Sequence, residues 1–306
     1  MKKDLVSIGD LTTQEIFELL DLTKKLKKKP LSHRQALAYK TLALIFQKPS
    51  NRTRISFEVA MTHLGGYTLY LSPSEISMGV REPVKDVAQV ISRYVNCIVA
   101  RVFSHNDVLE LAYHSGVPVI NGLSDLSHPC QALSDIFTIQ EKFGGLKGVK
   151  LAYIGDGNNV LNSLIMAAAK TGIDLSISGP RGYEPQKDIF EKGQLVAKTN
   201  GCEITFDKDP HRAVKDCDVI YTDVWTSMGQ EEEKEKRLKD FKNYQVNEEL
   251  VKSTGKDTYI MHCLPAHRGE EITDVIDGKN SIVYDQAENR MHMEKAVLLK
   301  LMSGRV

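Results

Sequence analysis

The sequence predicts an α/β protein of two domains, each a mostly parallel sheet flanked by helices. Short runs rich in apolar and β-branched residues alternate with longer segments of helical spacing, which is the pattern of βαβ units. Several runs, such as 42–46, are apolar throughout, as strands buried on both faces of a parallel sheet are. At about 150 residues per domain, the length of 306 residues favours two domains.

Eight short apolar segments are the predicted strands. In chain order they are 41–46, 97–102, 117–121, 150–154, 174–178, 219–223, 259–263 and 281–284. Helical spacing is found between them at 54–64, 84–92, 134–143 and 162–171, and again in the last segment, 285–302. The charged segment 230–240 is expected to be a solvated helix face or a loop, with a mobile loop beside a site as the alternative.

Glycines at positions 144, 145 and 148 follow a predicted helix and precede a predicted strand, which is typical of a linker. We therefore expect a first domain over residues 1–143 and a second over 144–285. The C-terminal helix, 286–306, is expected to pack back on the first domain.

Charge and cysteine content exclude several classes of protein. Forty basic and forty acidic side chains give no net charge, which disfavours nucleic acid or a membrane surface as a partner. The N-terminus lacks the apolar stretch of a secretory signal. The cysteines contain no C-x-x-C pair and predict reduced thiols, so we expect a cytoplasmic protein without a disulfide framework or a structural zinc site. They are Cys97, Cys130, Cys202, Cys217 and Cys263.

Two polar clusters precede predicted helices. In the first cluster, residues 48–58, Ser50 suits an N-cap, Thr53 adds a hydroxyl group, and Arg52 adds a planar guanidinium. Together these groups suit a phosphate ligand. An ordinary capped helix with surface arginines has the same pattern and is the alternative. In the second cluster, His128 and Gln131 lie three residues apart, so both could hydrogen-bond a carbonyl group and its NH2, or be ordinary loop residues.

Three further clusters follow predicted strands, where ligands of open α/β sheets bind. Segment 155–159 resembles the start of a dinucleotide fingerprint, but Val160 replaces the third glycine, and its two asparagines could instead hold an amino-acid head group. Asp223 could pair with an ammonium group or cap a helix. His262, Cys263 and His267 do not match a structural zinc pattern, so we predict no metal.

Five motifs in series resemble those of the aspartate/ornithine carbamoyltransferase family. They are SNRTR at 50–54, HPCQ at 128–131, DVWTSMG at 223–229, HCLP at 262–265 and ENRMH at 288–292. The third and fourth are similar to those of ornithine-using members. The resemblance implies carbamoyl transfer from carbamoyl phosphate to the δ-amine of L-ornithine, giving L-citrulline and phosphate without a cofactor, as in arginine biosynthesis. It also implies a homotrimer with shared active sites.

The resemblance further implies roles for individual residues. Those expected to act in catalysis are Arg52, Arg101, His128, Gln131 and Cys263. The expected carbamoyl phosphate ligands are Ser50, Asn51, Arg52, Thr53, Arg101, His128, Gln131, Cys263, Leu264 and Arg290. The expected ornithine ligands are Asn159, Asp223, Ser227 and Met228. Arg54 is expected to form an ion pair rather than to bind substrate directly.

Two positions depart from the common family pattern. Asn51 replaces a threonine but keeps a backbone N–H and a side-chain donor, so phosphate binding is expected to survive. Ser77 stands where many relatives have a glutamine in a loop that reaches the neighbouring subunit's site, which puts its contact with carbamoyl phosphate in doubt. Alternative readings are a carbamoyltransferase for a modified ornithine or a diamine, a nucleotide-dependent dehydrogenase, and a binding protein that has lost activity.

Overall fold

The computed structural model describes residues 3–226 and 231–303, and it divides into two compact units. The first unit contains the chain up to residue 137 together with the segment from residue 288 onward, and the second contains residues 138–287. Each unit has a wholly parallel sheet with helices around it, which confirms the predicted fold class. The assignment of 1–143 and 144–285 to separate substrates stays a prediction.

The first unit is built on a four-stranded sheet of order β2-β1-β3-β4. Its strands are β1 (Thr41–Phe46), β2 (Tyr67–Leu71), β3 (Cys97–Arg101) and β4 (Val119–Leu123). Its helices are α1 (Thr13–Lys28), α2 (Asn51–His63), α3 (Pro73–Ile76), α4 (Val84–Ile91) and α5 (His105–His114), with a 3₁₀ turn at Ile8–Asp10. Apolar side chains of β1 and β3, such as Ile45 and Ile98, pack with Val108 of α5 in the core.

The second unit is built on a five-stranded sheet of order β7-β6-β5-β8-β9. Its strands are β5 (Lys150–Ile154), β6 (Asp174–Ser178), β7 (Ile204–Phe206), β8 (Val219–Thr222) and β9 (Tyr259–His262). Its helices are α7 (Asn159–Thr171), α8 (Lys187–Asn200), α9 (Pro210–Ala213), α10 (Lys234–Asp240) and α11 (Glu248–Lys252), with 3₁₀ turns at Glu231–Glu233, Lys242–Tyr244 and Asp274–Asp277.

Two long helices contain the points where the chain changes unit. They are α6 (Pro129–Phe143) and α12 (Val283–Met302). Within the described residues, no helix combines the length and the apolar composition that a membrane crossing needs.

The predicted strands are confirmed where the chain is apolar on both faces, and one prediction is wrong. Segment 281–284 is not a strand: Ser281 makes a single bridge with Ile260, and α12 begins two residues later. The bridge consists of two backbone hydrogen bonds. The N–H of Ile260 donates to the carbonyl of Asn280, and the N–H of Ile282 donates to the carbonyl of Ile260 (3.0 Å each). Sequence reasoning missed β2, whose residues are partly exposed, and β7, which has only three residues.

Two helices, α2 and α7, begin earlier than predicted because side-chain caps extend them. Ser50 caps α2 by accepting from the backbone N–H of Thr53, so α2 begins at Asn51 rather than at Arg54. Asn158 caps α7 through bonds from the N–H groups of Val160 and Leu161 (3.0 and 3.1 Å). Both caps lie in clusters that the sequence singles out for binding.

Truncating one core leucine tests this architecture. Leu164 on α7 is fully buried, whereas Leu195 on α8 is 70% exposed. We expect Leu164→Ala to lower the free energy of unfolding by about 2–5 kcal/mol, because it removes buried methyl groups and leaves a cavity. Leu195→Ala should change it by less than about 0.5 kcal/mol. Urea unfolding followed by circular dichroism measures both, and equal midpoints for the two variants would contradict the described core.

Candidate active site

The predicted site residues lie where strands end and helices begin, with one group in each unit. The first group follows β1, β3 and β4 and includes the part of α12 that belongs to the first unit. The second group follows β5, β8 and β9. Because all strands in each sheet run in parallel, their carboxyl ends meet at the same edge, and polar side chains from separate motifs converge there.

The first turn of α2 presents backbone N–H groups beside a cation. Ser50 caps the helix and Asn51 is its first residue, so the positive end of the helix dipole lies at this point. The side chains of Asn51 and Arg52 are exposed, while Thr53 is buried. This arrangement can bind an anion by hydrogen bonds and by charge.

Arg290 of α12 is a buried guanidinium that joins two of the predicted motifs. Its Nη1 donates to Oε1 of Gln131 (2.7 Å), and its Nη2 donates to Oγ1 of Thr53 (3.3 Å). Glu294, one turn further along α12, accepts from the same guanidinium at 3.0 Å. Gln131 is fixed at its other end, because its Nε2 donates to Oδ1 of Asp135 (2.8 Å).

His128 is a buried imidazole surrounded by cationic side chains. Burial holds its pKa well below the ordinary range, and the charges of Arg290, Arg101 and Arg52 lower that pKa further. Arg101 stands at the end of β3 and is also buried. His128 is therefore neutral at pH 7 and can donate a hydrogen bond without carrying a charge.

Glu294 is a fully buried carboxyl group beside Arg290. Burial raises its pKa to about 7, and the attraction of Arg290 only partly offsets the effect. The spacing of Arg290 and Glu294, four residues apart on one helix, is the signal by which sequence reasoning could have found this pair.

Two other predicted residues of the first unit are located away from this hydrogen-bond network. Ser77 ends α3 in a left-handed conformation with φ of 39°, and its hydroxyl donates to the carbonyl of Pro73 (3.4 Å). Arg54 forms an ion pair with Glu58 (2.9 Å) and lies over the ring of Tyr70 (3.9 Å to the centroid).

In the second unit, Asp223 is the centre of a polar cluster at the end of β8. Its Oδ1 accepts from the Cys263 thiol (2.8 Å) and from the backbone N–H of Val224 (2.8 Å). Its Oδ2 accepts from Nδ2 of Asn158 (2.7 Å). Asp223 is only 6% exposed, so little water competes with a ligand for hydrogen bonds to its carboxylate.

The residues after β9 are held by a buried histidine and glutamate. Nδ1 of His262 accepts from the backbone N–H of Leu264 (2.8 Å), so its Nε2 carries the proton that faces Oε1 of Glu271 (3.1 Å). Asp223, His262 and Cys263 offer ligand atoms within 4.8 Å of one another. Because each of the three already has a protein partner, we assign no metal there.

The glycine-rich loop after β5 has a structural explanation that does not involve a nucleotide. A Cβ at Gly157 would lie 2.3 Å from the carbonyl oxygen of Glu184, so only glycine fits this close approach of two backbones. Asn158 caps α7 with its oxygen and contacts Asp223 with its nitrogen, and Asn159 begins the helix. This loop therefore presents an amide, rather than a phosphate cradle, to the edge of the sheet.

Sequence reasoning missed the buried ion pair between Asp156 and Arg237 (3.0 Å) in the second unit. Asp156 lies in the glycine-rich loop, and burial raises the pKa of its carboxyl group. Arg237 belongs to the highly charged segment, where no local signal separates it from its exposed neighbours. The predicted ornithine ligands Ser227 and Met228 lie outside the described residues.

Models of one protein family match nearly the whole chain. Residues 3–141 match the family model described as "Aspartate/ornithine carbamoyltransferase, carbamoyl-P binding domain", and residues 147–301 match the one described as "Aspartate/ornithine carbamoyltransferase, Asp/Orn binding domain".

Individual relatives are similar to the same extent. The ornithine carbamoyltransferase of Archaeoglobus fulgidus is 55% identical over 98% of this chain and 97% of its own length. The anabolic ornithine carbamoyltransferase of Pyrococcus furiosus is 53% identical over 99% and 97%. A solved structure of ornithine carbamoyltransferase from Pyrococcus furiosus superposes with a TM-score of 0.96 at 53% identity, covering 99% of this chain and 98% of that one. The chain belongs to the aspartate/ornithine carbamoyltransferase family.

Proposed function

We propose that the chain transfers the carbamoyl group of carbamoyl phosphate to the δ-amine of L-ornithine, giving L-citrulline and phosphate. The observation that carries the proposal is the buried carboxylate of Asp223 in the second unit, held by Asn158 and Cys263. A carboxylate attracts the α-ammonium group of ornithine, whose net charge is positive, more strongly than that of aspartate, whose net charge is negative and which is the other acceptor in the family's name. Relatives named as ornithine carbamoyltransferases support the same acceptor.

The first unit is suited to carbamoyl phosphate. The leaving phosphate carries two negative charges, which Arg52, Arg101 and the N–H groups of α2 stabilise. Ser50, Asn51 and Thr53 supply further donors from the same turn, with Asn51 doing so in place of the family's usual threonine. Arg290, on α12, is a further ligand of carbamoyl phosphate.

The neutral imidazole of His128 is suited to the carbamoyl oxygen. This oxygen gains negative charge when the amine adds to the carbonyl carbon, so a hydrogen-bond donor fixed in advance lowers the barrier. Gln131 belongs to the same motif as His128, and hydrogen bonds with Arg290 and Asp135 fix the orientation of its side-chain amide. We assign it to the carbamoyl group as well.

The attacking amine has to be neutral. A lysine-like amine has an ordinary pKa of about 10.4, so its deprotonation at pH 7 costs roughly 4.6 kcal/mol. Asn159 and Asp223 orient the amino-acid end of ornithine, with Ser227 and Met228 as further ligands. Cys263 and Leu264 border the reacting end. The first proton passes to solvent before the attack, and the departing phosphate accepts the second, which the nitrogen loses after it adds to the carbonyl carbon. No dedicated protein base is therefore required.

The wider context of the enzyme follows from the same assignment. We assign carbamoyl phosphate to residues 1–143 with the C-terminal helix 286–306, and ornithine to 144–285. We propose a cytoplasmic homotrimer with shared active sites that needs no cofactor and acts in arginine biosynthesis, as the name of the anabolic relative supports. In a homotrimer, the loop that contains Ser77 would reach a neighbouring site.

An acceptor comparison tests the proposed function. We expect citrulline to form from carbamoyl phosphate with L-ornithine at least 100-fold faster than products form with N-acetyl-L-ornithine, putrescine or L-aspartate. The measurement is colorimetric detection of the ureido product at equal acceptor concentrations. A preference for N-acetyl-L-ornithine, which lacks the α-ammonium group, would keep the carbamoyl phosphate assignment and refute that of Asp223, whereas a preference for putrescine would refute L-ornithine as the acceptor. Absence of carbamoyl transfer to any acceptor would refute the function.

Two variants that each remove one charge should distinguish the ornithine site from the carbamoyl phosphate site. Asp223→Asn keeps the side-chain volume and removes the charge that attracts ornithine, so we expect the KM for ornithine to rise about 100-fold, the equivalent of about 2.7 kcal/mol. The KM for carbamoyl phosphate should stay within twofold. Arg52→Ala should raise the KM for carbamoyl phosphate and lower kcat by a similar factor.

Exposed residues of each unit provide the controls for these variants. Asp257→Asn in the second unit and Arg93→Ala in the first should leave both KM values unchanged, since both side chains are exposed. Steady-state kinetics with each substrate varied in turn measures all four variants. An unchanged ornithine KM in folded Asp223→Asn would contradict its role.

The buried Glu294 predicts a pH-dependent term in stability. Its pKa is raised to about 7 in the folded chain, so the folded state binds this proton more tightly than the unfolded state does. The contribution of Glu294 to stability therefore grows as pH falls through about 7 and is complete once the pH is below its unfolded pKa of about 4.3. Glu294→Gln removes this proton binding.

We expect the thermal midpoint of the unsubstituted protein to rise relative to that of Glu294→Gln between pH 8 and pH 5.5. Differential scanning fluorimetry at both pH values measures this difference. Glu110→Gln, an exposed position of the first unit, is the control and should show no such trend. A difference that is independent of pH would refute the assignment.

A further inference from the structure

Arg237 has an unusual environment for a residue of a charged surface segment. Its side chain is only 7% exposed. Its Nη1 donates to Oδ2 of Asp156 (3.0 Å) and to the carbonyl oxygen of Trp225 (2.9 Å), and its Nε donates to Oε2 of Glu233 (2.9 Å). One guanidinium thus binds the loop after β5, the backbone after β8 and the turn that precedes α10.

An aromatic ring covers this guanidinium. The guanidinium lies over the ring of Tyr183, 4.9 Å from the centroid, and the hydroxyl of Tyr183 donates to Asp240 (2.9 Å). Tyr183 in turn contacts Phe241, and Trp225 stacks on Phe241, with centroids 5.5 Å apart. Because the guanidinium is buried under this ring and bonded through two of its nitrogens, its hydrogen bonds hold their partners at fixed separations.

The two chain segments that Arg237 joins carry the residues assigned to ornithine. Asp156 lies two residues before Asn158, and Trp225 lies two residues after Asp223. The Asn158–Asp223 hydrogen bond (2.7 Å) spans the same gap between β5 and β8 that Arg237 bridges. A change in the spacing of these segments would separate the two side chains before it affected either strand.

We propose that Arg237 is a positioning residue for the acceptor: it holds the loop after β5 against the segment after β8, so that Asp223 and Asn158 present a preformed site to the head group of ornithine. This inference rests on the proposed function and extends it to a residue that does not touch substrate. It requires two donor nitrogens at a fixed separation, because Nη1 binds the Asp156 carboxylate and the Trp225 carbonyl while Nε binds Glu233, whereas a lysine ammonium is a single point charge.

Kinetics of three variants test the proposal. Arg237→Gln removes the charge and the fork, and Arg237→Lys keeps the charge alone. Arg212→Gln is the matched control in the same unit, because its side chain is 70% exposed and ion-paired with Asp207. We expect the KM for ornithine to rise at least tenfold in both Arg237 variants, the KM for carbamoyl phosphate to stay within twofold, and both to be unchanged in Arg212→Gln.

Equilibrium binding separates positioning from any effect on the chemical step. L-Norvaline has the head group of ornithine without the δ-amine, so its affinity reports the head-group site alone. With carbamoyl phosphate present, calorimetry should give a norvaline Kd that rises by the same factor as the KM for ornithine.

A double-mutant cycle identifies the bond responsible. Asp156→Asn weakens the same contact, so Asp156→Asn with Arg237→Gln should raise the KM for ornithine no more than the larger single change does, rather than by the product of the two. Fully multiplicative effects would mean that Arg237 does not act through Asp156 and would overturn the proposal.

Three other results would overturn it. They are an unchanged ornithine KM in folded Arg237→Gln, full recovery in Arg237→Lys, and equal increases in the KM values of both substrates with a lowered thermal midpoint, which is the signature of a purely structural role. If the unsubstituted enzyme formed no citrulline, the proposed function would fail first and this inference with it. The wild-type assay therefore distinguishes the two failures.

Discussion

A buried guanidinium is costly to leave without partners, and in each unit of this chain one buried arginine forms hydrogen bonds to several separate parts of the chain. Arg290 binds Thr53, Gln131 and Glu294, and Arg237 binds Asp156, Trp225 and Glu233. An unpaired buried charge costs several kcal/mol or more. Displacing any partner therefore costs free energy. Because the N–H donors of a guanidinium point in fixed directions, this cost keeps the partner residues, and the residues around each site, in defined positions.

The same pairing determines which groups carry charge. In the first unit, the cations that we propose as phosphate ligands also keep the nearby His128 neutral, because burial and three guanidinium groups all oppose its protonation. In the second unit, the cluster around Asp223 is built on a carboxylate that accepts from a thiol and an amide. The two units thus have opposite electrostatic environments, which suit the dianion and the ammonium group that we propose for them, and the overall net charge of zero does not show this division.

Most of the fold could be predicted because strands buried on both faces have a local signature. Segments such as Thr41–Phe46 are apolar at nearly every position, whereas Tyr67–Leu71 is partly exposed and lacks that signature. Segment 281–284 has the right composition but makes only a bridge, since α12 begins within it. The location of most motif residues at the carboxyl ends of strands could be predicted as well. The partners that hold them could not, because Arg237 and Asp156 are 81 positions apart and only the folded chain brings them together.

The glycine-rich loop after β5 illustrates why local patterns leave function open. Two glycines after a buried strand indicate that something approaches the backbone closely, and a dinucleotide phosphate is one candidate. Here the approaching group is the carbonyl of Glu184, and the loop's polar residues turn instead to Arg237 and Asp223. The glycines thus report a steric requirement without naming its cause. The role of the loop can be inferred only when the partners of Asp156 and Asn158 are known. Those partners, Arg237 and Asp223, lie on the segments after β8 that we propose complete the acceptor site.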